Sequence, residues 1–238
     1  PEHLRHSLAH LLAAAVLELY PDTKRAIGPA IENGFYYDLE LSKPISDEDL
    51  LKIEQKMREI LKTWTTFSHR EVSADEARKI FKDNPYKLEL IDEFSEKGDK
   101  LTIYTSGNYD DLCRGGHVEN AKEIDPKAFK LTHLAGAYWR GSEKNKMLTR
   151  IYGLAFATPK ELEDHLAMLE EAKKRDHRKL GKELELFTIV DEIGPGLPLF
   201  YPKGAIMRKI VENLISELQE KAGYTPIWIP HVTKGDLY

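Results

Sequence analysis

Two pairs of residues place the strongest condition on how this chain folds. His6 and His10 stand four apart near the start, and Cys113 and His117 stand four apart about a hundred residues later. On a helix that spacing sets both side chains on one face, roughly 5–6 Å apart at Cβ. Either pair alone is adequately explained as ordinary structure. Together, in a chain with one cysteine, they point to one shared site, and the fold must then bring a helix at the start against a distant loop. Two chemistries stay open for three imidazoles and a thiol. They bind zinc tetrahedrally through N and S ligands, or they bind a substrate and move protons near neutral pH without metal.

The chain of 238 residues is 41% hydrophobic and 32% charged, enough for one large domain or two ordinary ones with real cores. Its formal net charge of −5 argues against a general nucleic-acid coat and leaves room for a local basic patch. One cysteine excludes an internal disulfide framework and fits a reducing compartment, so the expected location is cytoplasmic. The longest apolar run, Leu8 to Tyr20, contains His10 and Glu18 and is too short to cross a bilayer, so no membrane partner is expected. The chain starts at Pro1 without a methionine and reads as a fragment of something longer.

Leu8, Leu11, Leu12, Ala15, Val16 and Leu19 predict a helix over residues 5–20, ended by Pro21. A hairpin follows, with Asn33-Gly34 as its turn and Phe35, Tyr37, Leu39 and Leu41 alternating on one face. Ser46 caps a second helix with the stripe Leu50, Ile53, Met57, Ile60 and Leu61. Phe67–Val72 reads as a strand, and Ser73 to Glu76 as a capping box opening a third helix. Leu101–Thr105, Lys130–Arg140 and Lys146–Phe156 read as further strands. The fold class is therefore α+β, an antiparallel sheet with packed helices. Thr158-Pro159 opens a helix expected to run to about Leu180, with Gly181 closing it. Its basic run Lys173–Lys179 reads as a solvated face, partly favoured by the helix dipole. Beyond lie the loop Gly194–Pro198, an amphipathic helix over Ala205–Ala222, and a strand over Thr225–His231.

The surroundings of Cys113 bear on the choice of chemistry. Asp110 and Asp111 precede it, and read either as turn caps or as a charged part of the site. Gly115-Gly116 is either a plain turn or a place where backbone approaches a ligand closely. Lys87, on the apolar stretch Tyr86–Leu90, is either solvated or a buried amine of lowered pKa that serves as a base or holds a water. His3, His69, His133, His165 and His177 lack partners in sequence and read as structural or exposed.

The segments HSLAHLL, AIGPAIENGFYYD (26–38), DLCRGGH, AGAYWRG (135–141), NKMLTRIYG (145–153) and KRDHRKLGKEL (174–184) occur in this order. Jointly they resemble the threonyl-tRNA synthetases along essentially the whole chain. Alanyl-tRNA synthetases and free-standing alanyl editing proteins share only the HxxxH and CxxxH arrangement. The resemblance implies an editing domain over 1–157, a linker helix over 158–182, and the opening of the class II aminoacylation core over 183–238, with Ala205–Pro230 as the first class II motif of a homodimer. It places ATP, magnesium and the threonine-recognising zinc in a part of the core beyond Tyr238. One departure stands out: the family commonly has proline where this chain has Gly116.

What the resemblance implies for the site is hydrolysis of seryl-tRNA made in error on threonine tRNA, without a cofactor. His6, His10 and His117 hold the terminal ribose and position water. Lys87 and His6 activate the water, Asp111 anchors the serine amino group, and Cys113 shapes the pocket without acting as nucleophile. Gly28, Tyr37, Arg114 and Tyr152 are the candidate contacts to the 3′ end of the tRNA. Two rivals remain. One is a metal-dependent alanyl-type hydrolase with zinc on His6, His10, Cys113 and His117. The other is a non-catalytic module in which the same four residues hold structural zinc and the second half serves for dimerisation or tRNA docking.

Overall fold

The computed structural model describes residues 1–194 and 196–228, which divide into two compact units, one over 1–166 and one from 167 onward. The first unit is built around helix α1 (Glu2–Leu19). Every residue from Ser7 to Val16 is buried, so the apolar stripe legible in sequence is only part of the covered surface. A helix apolar all round belongs in a core. Here α1 lies between a sheet on one side and helix α2 (Asp47–Leu61) on the other. Asp49 accepts the Ser46 amide at 2.9 Å at the start of α2. The expected stripe Leu50, Ile53, Met57, Ile60 and Leu61 is buried along it.

That sheet is antiparallel and five-stranded. Strand β3 (Gly34–Glu40) pairs with the short β1 (Lys24–Arg25) and β2 (Ala30–Ile31) along one edge. Along its other edge it pairs with β8 (Met147–Ala155), which pairs in turn with β7 (Phe129–Tyr138). The register sets Tyr37 opposite Ile151 and Tyr36 opposite Tyr152. Phe35, Tyr37 and Leu39 enter the core with α1. Tyr36, Asp38, Arg150 and Tyr152 take the other face, where Arg150 grips Asp38 with two hydrogen bonds of 2.6 and 2.8 Å.

The hairpin turn is one residue earlier than expected. Ile31 pairs with Gly34, so Glu32 and Asn33 form the turn, with Asn33 at φ +61°. Gly34 is needed for a different reason. A Cβ there would sit 2.1 Å from the carbonyl oxygen of Gly153 on the neighbouring strand.

A second sheet of three antiparallel strands follows, β4 (Ser68–Val72), β5 (Leu101–Ser106) and β6 (Tyr109–Leu112). Between β4 and β5 lie α3 (Ala74–Ile80), capped by Ser73 as expected, and α4 (Pro85–Glu96). Asn84 caps α4 and Pro85 takes its first turn. A second apolar core joins these helices to the sheet through Phe81, Leu90, Ile91, Leu101, Ile103 and Leu112. Asp110 and Asp111 are strand residues of β6 rather than turn caps.

Helix α5 (Pro159–Lys174) starts from the Thr158 cap. It does not continue to Leu180. Asp176 caps a new helix, α6 (His177–Glu183), by accepting the Arg178 amide at 2.8 Å. Gly181 lies inside α6, where any Cβ would strike the Phe187 ring at 2.4 Å. The segment 158–182, expected as one linker helix, is therefore two helices. Its basic run is matched locally: Lys173 pairs with Glu170, Arg175 with Glu171 and Arg178 with Asp176. The second unit adds the pair β9 (Phe187–Thr188) and β10 (Leu199–Phe200), then α7 (Pro202–Lys221). Ile206, Ile210, Val211, Leu214, Ile215 and Leu218 of α7 are exposed. Residues 225–228 form no strand, and the remainder of the strand expected over Thr225–His231 lies outside the described residues, as does Pro195 of the expected loop. Among the described residues no helix is long and apolar enough to cross a membrane.

Candidate functional site

The first unit brings the two residue pairs together. His6 and His10 project from the first turns of α1. Cys113 and His117 arrive on the loop that leaves β6, so their four-residue spacing is not helical. Gly115 and Gly116 turn that loop at φ +104° and +86°. Only residues without a Cβ reach such angles freely. A Cβ on Gly115 would also meet the Tyr104 hydroxyl at 2.7 Å. The Gly116 angle is closed to proline, whose ring holds φ near −65°, so this loop takes a path that a proline at that position does not.

Cys113 Sγ lies 3.4 Å from His6 Nε2 and 3.3 Å from His117 Nε2. The rings of His6 and His117 stack at 4.3 Å, and His10 lies 4.3 Å from His117. Phe67 covers the other face of His117, nearly parallel at 5.1 Å. One nitrogen from each imidazole and the sulfur all fall within 4.8 Å of one another. Three neutral imidazoles and a thiol are a zinc-type donor set, and the residues present fit that ion.

Behind the cluster stands an ion pair. Lys87, on the first turn of α4, reaches Asp111 Oδ1 of β6 at 2.6 Å, and both side chains are buried. Asp111 Oδ2 accepts the hydroxyls of Tyr37 at 2.5 Å and Tyr109 at 2.9 Å, and lies 3.9 Å from His10 Nε2. Arg25 adds a second cation, its guanidinium 4.8 Å over the Tyr109 ring. The Lys87–Asp111 pair, Tyr37 and three members of the cluster border one cavity of about 550 Å³, whose lining includes His6, His10, Gly28, Lys87, Asp111 and Cys113.

Burial sets the charges. It would raise Asp111, but Lys87 and Arg25 outweigh it and hold the carboxyl far below the usual range. Lys87 lies below an ordinary lysine because burial outweighs the pull of Asp111. Burial lowers all three imidazoles: His6 moderately, His10 strongly, and His117 to about 3. It also pushes the Cys113 thiol up to about 11. At neutral pH the cluster is three neutral rings and an S–H beside a charged pair.

The cavity thus gathers His6, His10, Lys87, Asp111 and Cys113, with His117 directly behind the sulfur. Gly28 and Arg114 line it too, Arg114 being engaged with Asp99 and 4.1 Å over Phe94. Tyr37 is there as a wall and an anchor for Asp111, its ring out of water. Tyr152 is not brought to the site. It stacks on His133 at 4.5 Å, on the sheet face away from the core. Ser7, Arg25, Tyr104 and Tyr109 are site residues that the sequence left unmarked. Tyr104 stands 4.8 Å from His117 and stacks on His69 at 5.1 Å. Its only sequence signal is an aromatic on the predicted strand Leu101–Thr105, one strand before the Cys113 loop.

Comparison with known proteins bears on this geometry. Residues 101–152 match the family "Threonyl and Alanyl tRNA synthetase second additional domain". The chain is 56% identical over 234 residues to a threonine-tRNA ligase of Borreliella burgdorferi, covering 98% of this chain and 40% of that protein. It is 55% identical over the same length to one of Borrelia recurrentis, and 54% to one of Borrelia hermsii, with the same coverage. The chain spans about 40% of the length of these relatives. With that identity along nearly all of its residues, and with the editing-type domain match across the strand and loop that carry Asp111 and Cys113, the chain is homologous to a part of the threonyl-tRNA synthetases.

Proposed function

We propose that the first unit proofreads, hydrolysing the ester of seryl-tRNA formed on threonine tRNA. The observation that carries this reading is the meeting of His6, His10 and Cys113 with the Lys87–Asp111 pair at one cavity, with His117 behind the sulfur. The need for such a site is energetic. Serine is threonine less a methyl group, and a pocket built for the larger residue rejects the smaller by only about 1–3 kcal/mol per methylene. A second site that admits serine and refuses the methyl inverts the test.

The side chains suit ester hydrolysis. Neutral imidazoles serve as proton acceptors at physiological pH, and His6, the least strongly perturbed of the three histidines, is the candidate to take a proton from the attacking water. Lys87, the other candidate for activating water, is held as the cation by its 2.6 Å contact with Asp111, so its role is to steady charge developing on the ester carbonyl oxygen and not to take the proton. The expelled ribose hydroxyl takes the proton back. Asp111 accepts from Lys87 and two tyrosines and retains acceptor capacity for the serine ammonium. Cys113 shapes the wall; held as a thiol near 11, it is a poor nucleophile. Stacking is a usual way to hold an RNA end, and Tyr104 with His69 offers aromatic faces beside the cluster. Domain limits are proposed as 1–157 for editing, 158–182 for the linker and 183–238 for the start of the aminoacylation core, with α7 toward a homodimer. The partner is a threonine tRNA and the location is the cytoplasm.

The test is hydrolysis of seryl- and threonyl-tRNA, both on threonine tRNA. Loss of serine with threonine spared supports the reading, and loss of neither rejects it for this chain. A second reading rests on the donor atoms lying within 4.8 Å. In it, His6, His10, Cys113 and His117 hold zinc, which supplies Lewis-acid activation of water as in an alanyl-type hydrolase.

A further inference from the structure

Ser7 stands between the two catalytic candidates of α1 and has no part in the chemistry above. It is completely buried. Its hydroxyl meets three groups: the His3 carbonyl at 2.8 Å, the Val118 amide at 3.1 Å and His117 Nδ1 at 3.3 Å. A hydroxyl has one proton to give and two positions to accept. The carbonyl only accepts, so it takes the proton. The amide only donates, so it fills one acceptor position. The third contact is then favourable in one sense alone, with His117 Nδ1 carrying a hydrogen and donating it to Ser7.

A neutral imidazole that carries its hydrogen on one nitrogen offers a lone pair on the other. His117 Nε2 is 3.3 Å from Cys113 Sγ. The thiol keeps its proton at neutral pH. A bare Nε2 can only accept, so this contact is favourable only when the Cys113 S–H is donated to it, His6 Nε2 at 3.4 Å from the same sulfur being the competing partner. The sulfur in turn accepts the Gly115 amide at 3.3 Å. A chain of directed hydrogen bonds therefore runs from α1 through His117 to the cavity wall.

We infer that Ser7 is a positioning residue that locks His117 in the Nδ1–H tautomer, aims the Cys113 S–H away from the cavity and presents the sulfur to it as an acceptor. The tautomer and the thiol orientation stand on geometry alone. Their consequence for hydrolysis rests on the function proposed above. Misdirecting one hydrogen bond at a reacting pocket costs about tenfold in rate.

The experiment is nitrogen-15 NMR of the His117 ring in the whole chain and in Ser7→Ala, with Ser7→Thr as the variant that keeps the hydroxyl. The S–H stretch in the infrared reports Cys113 directly, because the chain has one cysteine. The expected result is Nδ1–H in the parent chain, loss of that single tautomer in Ser7→Ala, a shift of the S–H band to higher frequency, and recovery of both in Ser7→Thr. An Nε2–H ring in the parent chain, or spectra unmoved by Ser7→Ala, overturns the inference. The parent spectrum decides the point even where Ser7→Ala fails to fold. Seryl-tRNA hydrolysis is measured beside it, with kcat expected to fall about tenfold in Ser7→Ala; an unchanged kcat overturns the consequence for hydrolysis. A parent chain that hydrolyses nothing refutes the proposed function, while its spectra still decide the role of Ser7.

Discussion

Lys87 Nζ lies 2.6 Å from Asp111 Oδ1, with each side chain only 2–3% exposed, and this single contact ties α4 to β6 beneath the cavity. Two tyrosine hydroxyls hold the other carboxylate oxygen, whereas Oδ1 is buried and faces the lysine ammonium without a well-directed hydrogen bond.

Removing one partner leaves the other charge buried, which typically costs about 3–5 kcal/mol. Lys87→Met and Asp111→Leu are each expected to lower the urea unfolding free energy by about that much. The double variant is expected to lose far less than the sum. Single losses below about 1 kcal/mol, or simple additivity, would show that the two charges are not coupled.

The buried imidazoles make stability depend on pH. An unfolded histidine titrates near 6.5, whereas His117 is held near 3 and His10 is also strongly lowered. Below about 6.5 the unfolded chain therefore binds more protons than the folded one, and stability falls as pH falls. From pH 6.5 to 5 the loss is about 2 kcal/mol for each such ring. Asp111 acts in the same direction only below about 4, where unfolded carboxyls protonate. Urea midpoints measured between pH 5 and 7.5 check this. A midpoint flat across the range would mean that the rings are solvated.

The readable parts of the fold were the local ones. Ser46, Ser73 and Thr158 cap helices where their side chains reach backbone a few residues on, a relationship confined to neighbours. The turn at Asn33-Gly34 was legible to within a residue; the slip arose because Gly34 serves the close approach of β8, which local pattern does not record. Asp176 was read as one more charge in a basic run, although its capping of Arg178 breaks the helix there. At the site, the residue types of both pairs were apparent, but not that Lys87 meets Asp111. Ser7, Arg25 and Tyr109 stayed hidden because a buried serine, arginine or tyrosine gains its role from partners far along the chain. Tyr152 was drawn to the site by its segment, while strand alternation sends it to the opposite face from Tyr37.

The donor set fits zinc, so metal dependence is a sharp test. Zinc binding would require Cys113 to lose a proton held near 11 and would release it to solution. The metal-free reading expects protein purified without added zinc to hydrolyse seryl-tRNA, and a chelator to leave the rate within about twofold, less than loss of one ordinary hydrogen bond would produce. Stoichiometric zinc together with loss of activity on chelation would transfer the assignment to the alanyl-type mechanism.

Gly28 tests whether Tyr37 acts as a wall or as an anchor. A Cβ at Gly28 would meet the Tyr37 ring at 2.2 and 2.5 Å, and that ring is enclosed by core, so it must be driven along its own axis or the strand must yield. Overpacking of this kind costs about 1–3 kcal/mol, and Gly28→Ala is expected to lose that much stability. Displacing the ring also takes its hydroxyl from Asp111, to which it is bonded at 2.5 Å. Tyr37→Phe removes the same hydrogen bond without the clash, at about 1 kcal/mol. If Tyr37 is the anchor, both variants lower seryl-tRNA hydrolysis by at least about tenfold, the effect expected when one positioned hydrogen bond is lost, although only Gly28→Ala is strongly destabilised. If Tyr37 is only a wall, Tyr37→Phe keeps full activity and Gly28→Ala alone is impaired. Steady-state rates on seryl-tRNA beside urea melts of the two variants separate these outcomes.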